Sequence, residues 1–226
     1  MKLSIIIPAL NEAAAIQRTI ERALALRPCE VIVVDGGSHD GTDRIARQLD
    51  CRVISTERGR ARQQNEGAAQ ATGDALLFLH ADCWLAPESR EQIERTLRSP
   101  LIVGGAFCQR IEAAGLIYRG LELSNALRVC CTRTAYGDQG LFLRRELFEQ
   151  LGGFPDVRLM EDILLVRKLR DRGRLALLPG PLFVSARRWQ KHGPIRQTVR
   201  NWCLLAAEQL GVHPNRLAEF YAVHGK

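Results

Sequence analysis

The chain has 226 residues, of which 46% are hydrophobic and 25% are charged. These proportions are ordinary for a globular protein with a sizeable core, so they exclude disordered and fibrous classes. The formal net charge of +7 favours anionic partners, such as nucleic acid, an acidic membrane surface or a phosphorylated ligand, without choosing among them. The seven cysteines include no C-x-x-C pair, which argues against a zinc ribbon. Their number is odd and they are scattered, so the reducing cytoplasm is the expected location for these thiols.

The first part of the chain predicts strands that alternate with helices. Apolar runs predict buried strands at 3–7, 31–34 and 75–79, and a further strand, the third in chain order, is predicted at 51–55. Helices are predicted after each strand, with Asn11 as the first cap, Asp40 or Thr42 as the second, a third helix at 60–71 and a fourth that Pro87 opens. This alternation is typical of an α/β protein whose mostly parallel sheet carries helices on both faces.

Polar residues follow three of these predicted strands. Asn11 and Glu12 come after the first, Asp35 ends the second, and His80 and Asp82 come after the fourth. Ligands of open parallel sheets bind beyond the carboxyl ends of the strands. The sequence therefore predicts one crevice that collects these side chains.

The second part of the chain changes pattern and predicts a smaller, mixed-sheet region. Strands are expected at 101–107 and 140–143, and helices at 146–151, 161–172 and 196–210. Trp202, Leu205 and Leu210 are expected in the core. From Arg187 the chain is strongly basic, and docking of residues 187–200 on anionic lipid is one interpretation of that charge.

The segment VVDGGSHDGT at 33–42 places Asp35 before a glycine-rich turn. Gly36 and Gly37 permit a close backbone approach, so Asp35 could accept hydrogen bonds from a ribose or a base. Equally, Asp35, Ser38 and Asp40 could only shape the turn and cap a helix. The segment contains neither G-x-G-x-x-G nor a P-loop.

Two further acidic segments each allow a catalytic and a structural interpretation. His80 and Asp82 could project toward one Mg²⁺ or Mn²⁺ ion that bridges to a diphosphate, or Asp82 could cap the next helix. Glu161 and Asp162 begin a predicted helix, where the dipole stabilises acids. The alternative is that one of them is a general base for an attacking hydroxyl.

Taken in order, these motifs resemble family 2 glycosyltransferases, which are inverting enzymes with the Rossmann-like GT-A fold. The resemblance is carried by PALNE at 8–12, VVDGGSHDGT at 33–42, LHAD at 79–82, GGF at 152–154 and ED at 161–162. The chain is also similar to a bacterial subfamily called the radical-SAM/selenodomain-associated transferase 2 group, through GRARQQN at 59–65, GDQG at 137–140 and SARRW at 185–189. The resemblance thus extends over nearly the whole chain.

The resemblance implies a pocket for a nucleoside-diphosphate sugar. Asp35 would recognise the base, and Arg62 would approach the base or the diphosphate. A basic-aromatic element would lie near the diphosphate or the acceptor, formed by Arg187, Arg188 and Trp189. The remaining residues expected around the donor are Pro8, Ala9, Glu12, Gly37 and Ala81.

The resemblance also implies a catalytic and a metal site. Asp162 matches the general base, with Glu161 beside it, and Asp82 matches the last acid of the family's D-x-D metal motif, which binds Mn²⁺ or Mg²⁺. His80 stands where that motif begins with an acid, and Gly36 stands where the family has a second acid after Asp35. His192 is a further candidate metal ligand.

The expected organisation is one GT-A domain over 1–226. Residues 1–99 would bind the nucleotide sugar, residues 100–185 would hold the acceptor and the base, and residues 186–226 would form a basic helical segment. The function implied is hexosyl transfer to an unidentified hydroxyl acceptor, which could be lipid-linked, in the cytoplasm or at the inner face of the membrane. Two alternatives stay open at this point: nucleotide binding or nucleotidyl transfer on the same scaffold, and a basic peripheral membrane module.

Overall fold

The computed structural model describes residues 1–220, except for the side chains of Arg188 and His192. Within that range, eight strands form one sheet: β1 (Leu3–Ala9), β2 (Glu30–Asp35), β3 (Arg52–Ser55), β4 (Ala75–Phe78), β5 (Cys83–Leu85), β6 (Ile102–Ile111), β7 (Leu141–Arg144) and β8 (Arg174–Val184).

The strand order is β3-β2-β1-β4-β7-β6-β8-β5. Strands β3, β2, β1 and β4 are mutually parallel, and β6 is parallel to β8. Strand β7 is antiparallel to both β4 and β6, and β5 is antiparallel to β8. The sheet is therefore mixed and mostly parallel, and the expected α/β class is confirmed.

Helices cover both faces of the sheet because the strands are apolar on both faces. Along β1, Ile5 and Ile7 belong to one buried cluster with residues of the helices Ile16–Ala25 and Ser89–Leu97. Ile6 belongs to a second cluster with residues of the helices Arg60–Ala69, Arg145–Gln150 and Glu161–Arg170. The helices of the described range are α1 (Ile16–Ala25), α2 (Thr42–Ala46), α3 (Arg60–Ala69), α4 (Ser89–Leu97), α5 (Leu116–Thr132), α6 (Arg145–Gln150), α7 (Glu161–Arg170), α8 (Arg187–His192), α9 (Pro194–Gln209) and α10 (Pro214–Phe220), with a 3₁₀ turn at Gly137–Gln139. None of these helices is both long and apolar enough to cross a membrane.

The prediction that Asn11 caps α1 is wrong. Asn11 has a left-handed φ of 54°, and its Oδ1 accepts a hydrogen bond from the His39 amide at 2.9 Å. In turn, the Asn11 amide donates to Ser38 Oγ at 2.9 Å. The turn after β1 is thereby tied to the turn after β2, and α1 begins only at Ile16.

Candidate active site

The ends of β1, β2 and β4 meet at one edge of the sheet. Ala9 pairs with Asp35 in register, and the Leu79 amide donates to the Ile6 carbonyl at 2.9 Å. The residues after these strands therefore start from neighbouring positions. This is the crevice that the sequence predicts.

Asp35 is buried and its carboxylate shapes the turn that follows β2. One oxygen accepts hydrogen bonds from the Gly37 and Ser38 amides, both at 3.0 Å, and the other accepts from Ser38 Oγ at 2.5 Å. Gly37 has a φ of 87°, which favours glycine there. Asp35 therefore shapes the turn, as one of its two predicted interpretations requires. A carboxylate can accept about four hydrogen bonds, so Asp35 can accept one more from a ligand.

Gln63 holds the carboxyl ends of β1 and β2 together, a role that the sequence does not indicate. Its side-chain amide donates to the carbonyls of Ala9 and Val34, both at 2.8 Å. The one local indication of this role is that a glutamine lies on the apolar side of an alanine-rich helix. The sequence does not predict its partners, because both acceptor carbonyls lie far away along the chain.

A three-residue charge network crosses the crevice. Arg187 Nη2 lies 2.5 Å from both carboxylate oxygens of Glu12 and 3.3 Å from Asp82 Oδ2. Burial by itself lowers the pKa of Arg187, but the bonds to Glu12 and the charge of Asp82 outweigh it and raise that pKa above its ordinary value. A fixed positive charge therefore lies between two carboxylates at the strand ends.

A pocket of about 100 Å³ includes His80, two residues before Asp82, in its lining. Its polar wall carries Arg60, His80, Tyr136, Asp138 and Asp162, and its apolar wall includes Leu159, Met160, Ile163, Leu204 and Leu205. The pocket can therefore hold a polar group against the acids and an apolar body against α9.

Gly137 lies between His80 and Asp162. The Gly137 amide donates to Asp162 Oδ2, and the Ile163 amide donates to Asp162 Oδ1 at 2.8 Å. A methyl group built on Gly137 would lie 2.9 Å from Asp162 Oδ2 and 3.2 Å from His80 Nε2. His80 thus approaches the candidate base, although its sequence position indicates a metal ligand.

The two adjacent acids at the start of α7 have different surroundings. Glu161 is almost fully buried, and its carboxylate lies 3.4 Å from Arg60 Nη1. Burial raises the pKa of Glu161, Arg60 lowers it and Asp162 raises it, with a net shift above the ordinary value. Since Asp162 lines the pocket and Glu161 does not, the geometry favours Asp162 as the base and pairs Glu161 with Arg60.

The donor set at Asp82 fits a cation that is shared with a substrate. Mg²⁺ and Mn²⁺ are commonly held by one or two carboxylates together with substrate phosphates. Asp82 supplies one carboxylate, whereas no cluster of three His, Cys, Asp or Glu residues suited to a metal occurs in the described part of the chain. A closed, all-protein metal cage is therefore not formed by these residues.

The other predicted site residues are distributed unevenly. Pro8 and Ala9 lie at the end of β1, and the Ala81 carbonyl accepts from Thr19 Oγ1 at 2.8 Å. Arg62 forms ion pairs with Glu57 and with Asp156, the latter at 4.0 Å, and Trp189 packs against the core cluster of α1. The side chains of Arg188 and His192 lie outside the described residues.

Phe154 of the GGF segment is part of the core, whereas Gly152 is exposed. Asn65 binds the backbone of Phe154 twice, since its Oδ1 accepts from the amide at 2.9 Å and its Nδ2 donates to the carbonyl at 2.8 Å. The Phe154 ring packs edge-on against Phe78, with centroids 4.8 Å apart. The segment thereby fixes α3 to the loop that leads to α7.

Residues 4–152 match the family model described as Glycosyl transferase family 2. The chain belongs to that family. Asp162 lies beyond the matched residues, so the family match does not assign it a role. The family match favours sugar transfer over nucleotidyl transfer and over a non-enzymatic basic module.

Curated relatives agree with the family. The chain is 27% identical over 177 residues to glycosyltransferase AglE of Haloferax volcanii, covering 68% of this chain and 56% of AglE. It is 28% identical over 158 residues to an undecaprenyl-phosphate 4-deoxy-4-formamido-L-arabinose transferase of Photorhabdus laumondii, covering 63% of this chain and 48% of that protein. The chain spans about half the length of these relatives.

A solved structure supports the GT-A fold. The mannosyltransferase PcManGT from Pyrobaculum calidifontis, in complex with GDP-Man and Mn²⁺, aligns with a TM-score of 0.66 at 26% identity. The alignment covers 80% of this chain and 56% of the mannosyltransferase. The α/β sheet described here is therefore that of a GT-A glycosyltransferase.

Proposed function

We propose that this chain is an inverting glycosyltransferase that moves a hexosyl group from a nucleoside-diphosphate sugar to a hydroxyl acceptor. The observation that carries the proposal is the position of Asp162, which lines one pocket together with His80, two residues before Asp82. The solved neighbour that holds GDP-Man and Mn²⁺ supports a donor of this class. Membership of the radical-SAM-associated subfamily stays a prediction.

In this mechanism Asp162 accepts the proton of the acceptor hydroxyl, and two backbone amides orient its carboxylate. The hydroxyl oxygen forms its bond to the anomeric carbon as the bond to the diphosphate breaks on the opposite face, so the configuration inverts. Negative charge grows on the diphosphate, and the Arg187 guanidinium is positioned to offset it. A divalent cation bound at Asp82 would supply further charge neutralisation.

The donor's nucleoside would lie over the ends of β1 and β2. Asp35 has a remaining acceptor direction for a base or ribose donor group, and Glu12 and Gly37 border the same edge. The acceptor would occupy the pocket at Asp162, and its apolar wall suits an acceptor with an apolar body. A lipid-linked acceptor at the inner face of the membrane agrees with the similarity to an undecaprenyl-phosphate transferase.

Donor binding is tested by the melting temperature in a panel of UDP- and GDP-sugars with Mn²⁺. We expect at least one nucleotide sugar to raise the melting temperature of the wild type, because a ligand that binds only the folded state stabilises it. Asp82→Asn should lose most of the Mn²⁺-dependent part of that rise. Asp50→Asn is the matched control, since Asp50 is an exposed carboxylate after α2. A wild type that responds to no nucleotide sugar would contradict the proposal.

A further inference from the structure

The outward face of α5 carries no charge. Its exposed residues recur at helical spacing and are Leu116, Ile117, Gly120, Leu123, Ser124, Leu127, Cys130, Cys131 and Thr132. Leu116 is 89% exposed and Leu123 is 61% exposed. A helix on the surface of a soluble protein ordinarily presents polar residues to water.

The charged residues of α5 point toward the protein instead. Glu122 pairs with Arg119 at 2.9 Å and with Arg110 of β6 at 3.5 Å. The Arg128 guanidinium lies over the Tyr136 ring, 3.3 Å from its centroid. The amphipathic pattern of α5 is thus reversed, which indicates a face that is covered by something apolar.

A second apolar stripe lies on α9. Ile195, Val199 and Trp202 follow one another at helical spacing and are exposed, Ile195 by 68% and Trp202 by 60%. The expectation that Trp202 and Leu210 lie in the core is wrong, because only one side of α9 packs, through Leu204, against Met160 and Ile163. The opposite side of α9, which carries Ile195, Val199 and Trp202, is exposed.

The surface next to the α9 stripe is basic. Lys191 and Arg196 are exposed, and the one acid of α9, Glu208, is turned inward, where it binds Arg167 through two contacts of 2.6 and 2.5 Å. An apolar stripe that includes a tryptophan and is bordered by cations matches a helix that lies in a membrane interface. Leu204 of α9 lines the pocket directly, and α5 contacts its wall through Arg128, which lies over the ring of the lining residue Tyr136.

We propose that the outward faces of α5 and α9 dock the protein on an anionic lipid bilayer. A second copy of the chain fits less well, because symmetric contact across α9 would bring Lys191 and Arg196 close to their own copies with no outward acid on α9 to balance them. Anionic lipid headgroups supply the opposite charge. Docking would also present the pocket to amphiphilic acceptors, and this last consequence rests on the proposed function.

Vesicle sedimentation tests the docking surface without any sugar donor. The probes are vesicles of phosphatidylcholine alone and of phosphatidylcholine mixed with phosphatidylglycerol. We expect the wild type to bind the mixed vesicles, and the double variants Leu123→Glu/Leu127→Glu and Val199→Glu/Trp202→Glu to bind them about tenfold more weakly. Leu101→Glu is the matched control, since Leu101 is 66% exposed but lies before β6.

Three outcomes would overturn the docking proposal. The first is a wild type that does not bind the mixed vesicles. The second is binding that high salt abolishes but the glutamate variants leave unchanged, which would be adsorption by charge alone. The third is a dimer in sedimentation velocity that the same variants dissociate. The donor-induced melting shift, measured on the same samples, reports the proposed function separately.

Discussion

At the scale of single residues, Gly137 is the position where a small substitution would act most directly on the candidate base Asp162. Its amide binds Asp162, and its α-carbon faces both Asp162 and His80. Gly137 is not among the residues with positive φ. An alanine at this position therefore adds a methyl group between two site residues without straining the backbone.

We predict that Gly137→Ala lowers kcat by about 10²-fold, because displacing a catalytic group by about 1 Å costs that much. The melting temperature should change little, since the added methyl group meets side chains of the pocket. Steady-state kinetics with the responding donor gives kcat, and Gly120→Ala, with nothing within 4 Å of the added methyl, is the control. Unchanged turnover in Gly137→Ala would mean that Asp162 is not the reacting group.

Residue types at this site were predictable, but their directions were not. The ED pair at 161–162 indicates a base, yet only the fold shows that Glu161 faces Arg60 whereas Asp162 lines the pocket. His80 shows the same limit, because i and i+2 spacing on a turn does not fix where each side chain points. Arg60 belongs to the GRARQQN motif, but its ion-pair partner Glu161 lies about a hundred residues later in the chain.

At the scale of elements, β1, β2 and β4 were predictable because they are nearly continuous apolar runs, whereas β3 has only two apolar residues at its centre. Strand β8 was not, since Pro179, Gly180 and Pro181 are typical of a turn, although the structure places them within Arg174–Val184. Helix α5 was missed because its outward apolar residues and inward charges obscure the usual amphipathic period. Strand β5, with three residues, is too short for a period to be visible.

The close packing of β6 gives an element-scale prediction. A methyl group on Gly105 would lie 2.3 Å from the Ala176 carbonyl oxygen of β8 and 2.6 Å from the Phe142 ring of β7. We expect Gly105→Ala to lower the free energy of unfolding by about 1–3 kcal/mol. Gly120→Ala should instead raise the free energy of unfolding by about 0.5–1 kcal/mol, because alanine favours a helix over glycine. The added methyl group on α5 would meet no atom within 4 Å.

Urea unfolding of both glycine variants gives the two free energies. Equal effects would show that the contacts between β6 and its neighbours do not limit stability. A large loss in Gly105→Ala alone would show that the glycine permits the approach of β7 and β8, which join the parallel and mixed parts of the sheet.

At the scale of the whole molecule, the sheet brings distant segments to one edge. Glu12, Asp82 and Arg187 come from three separate parts of the chain, and they meet because β1 and β4 are parallel neighbours and α8 directly follows β8. The order of motifs predicted the fold class and the crevice. The bridging position of Arg187 could not be predicted, because it depends on the order of strands in the sheet.

The central claim is that Asp162 is the base of a sugar transfer, and the release of nucleoside diphosphate tests it most directly. Water can serve as a slow acceptor in place of the unidentified hydroxyl. We predict that Asp162→Asn releases nucleoside diphosphate about 10²–10⁴-fold more slowly than the wild type, while the donor-induced melting shift is kept. Asp171→Asn, an exposed acid after α7, should behave as the wild type. An Asp162→Asn variant that binds the donor and turns it over at the wild-type rate would contradict the claim.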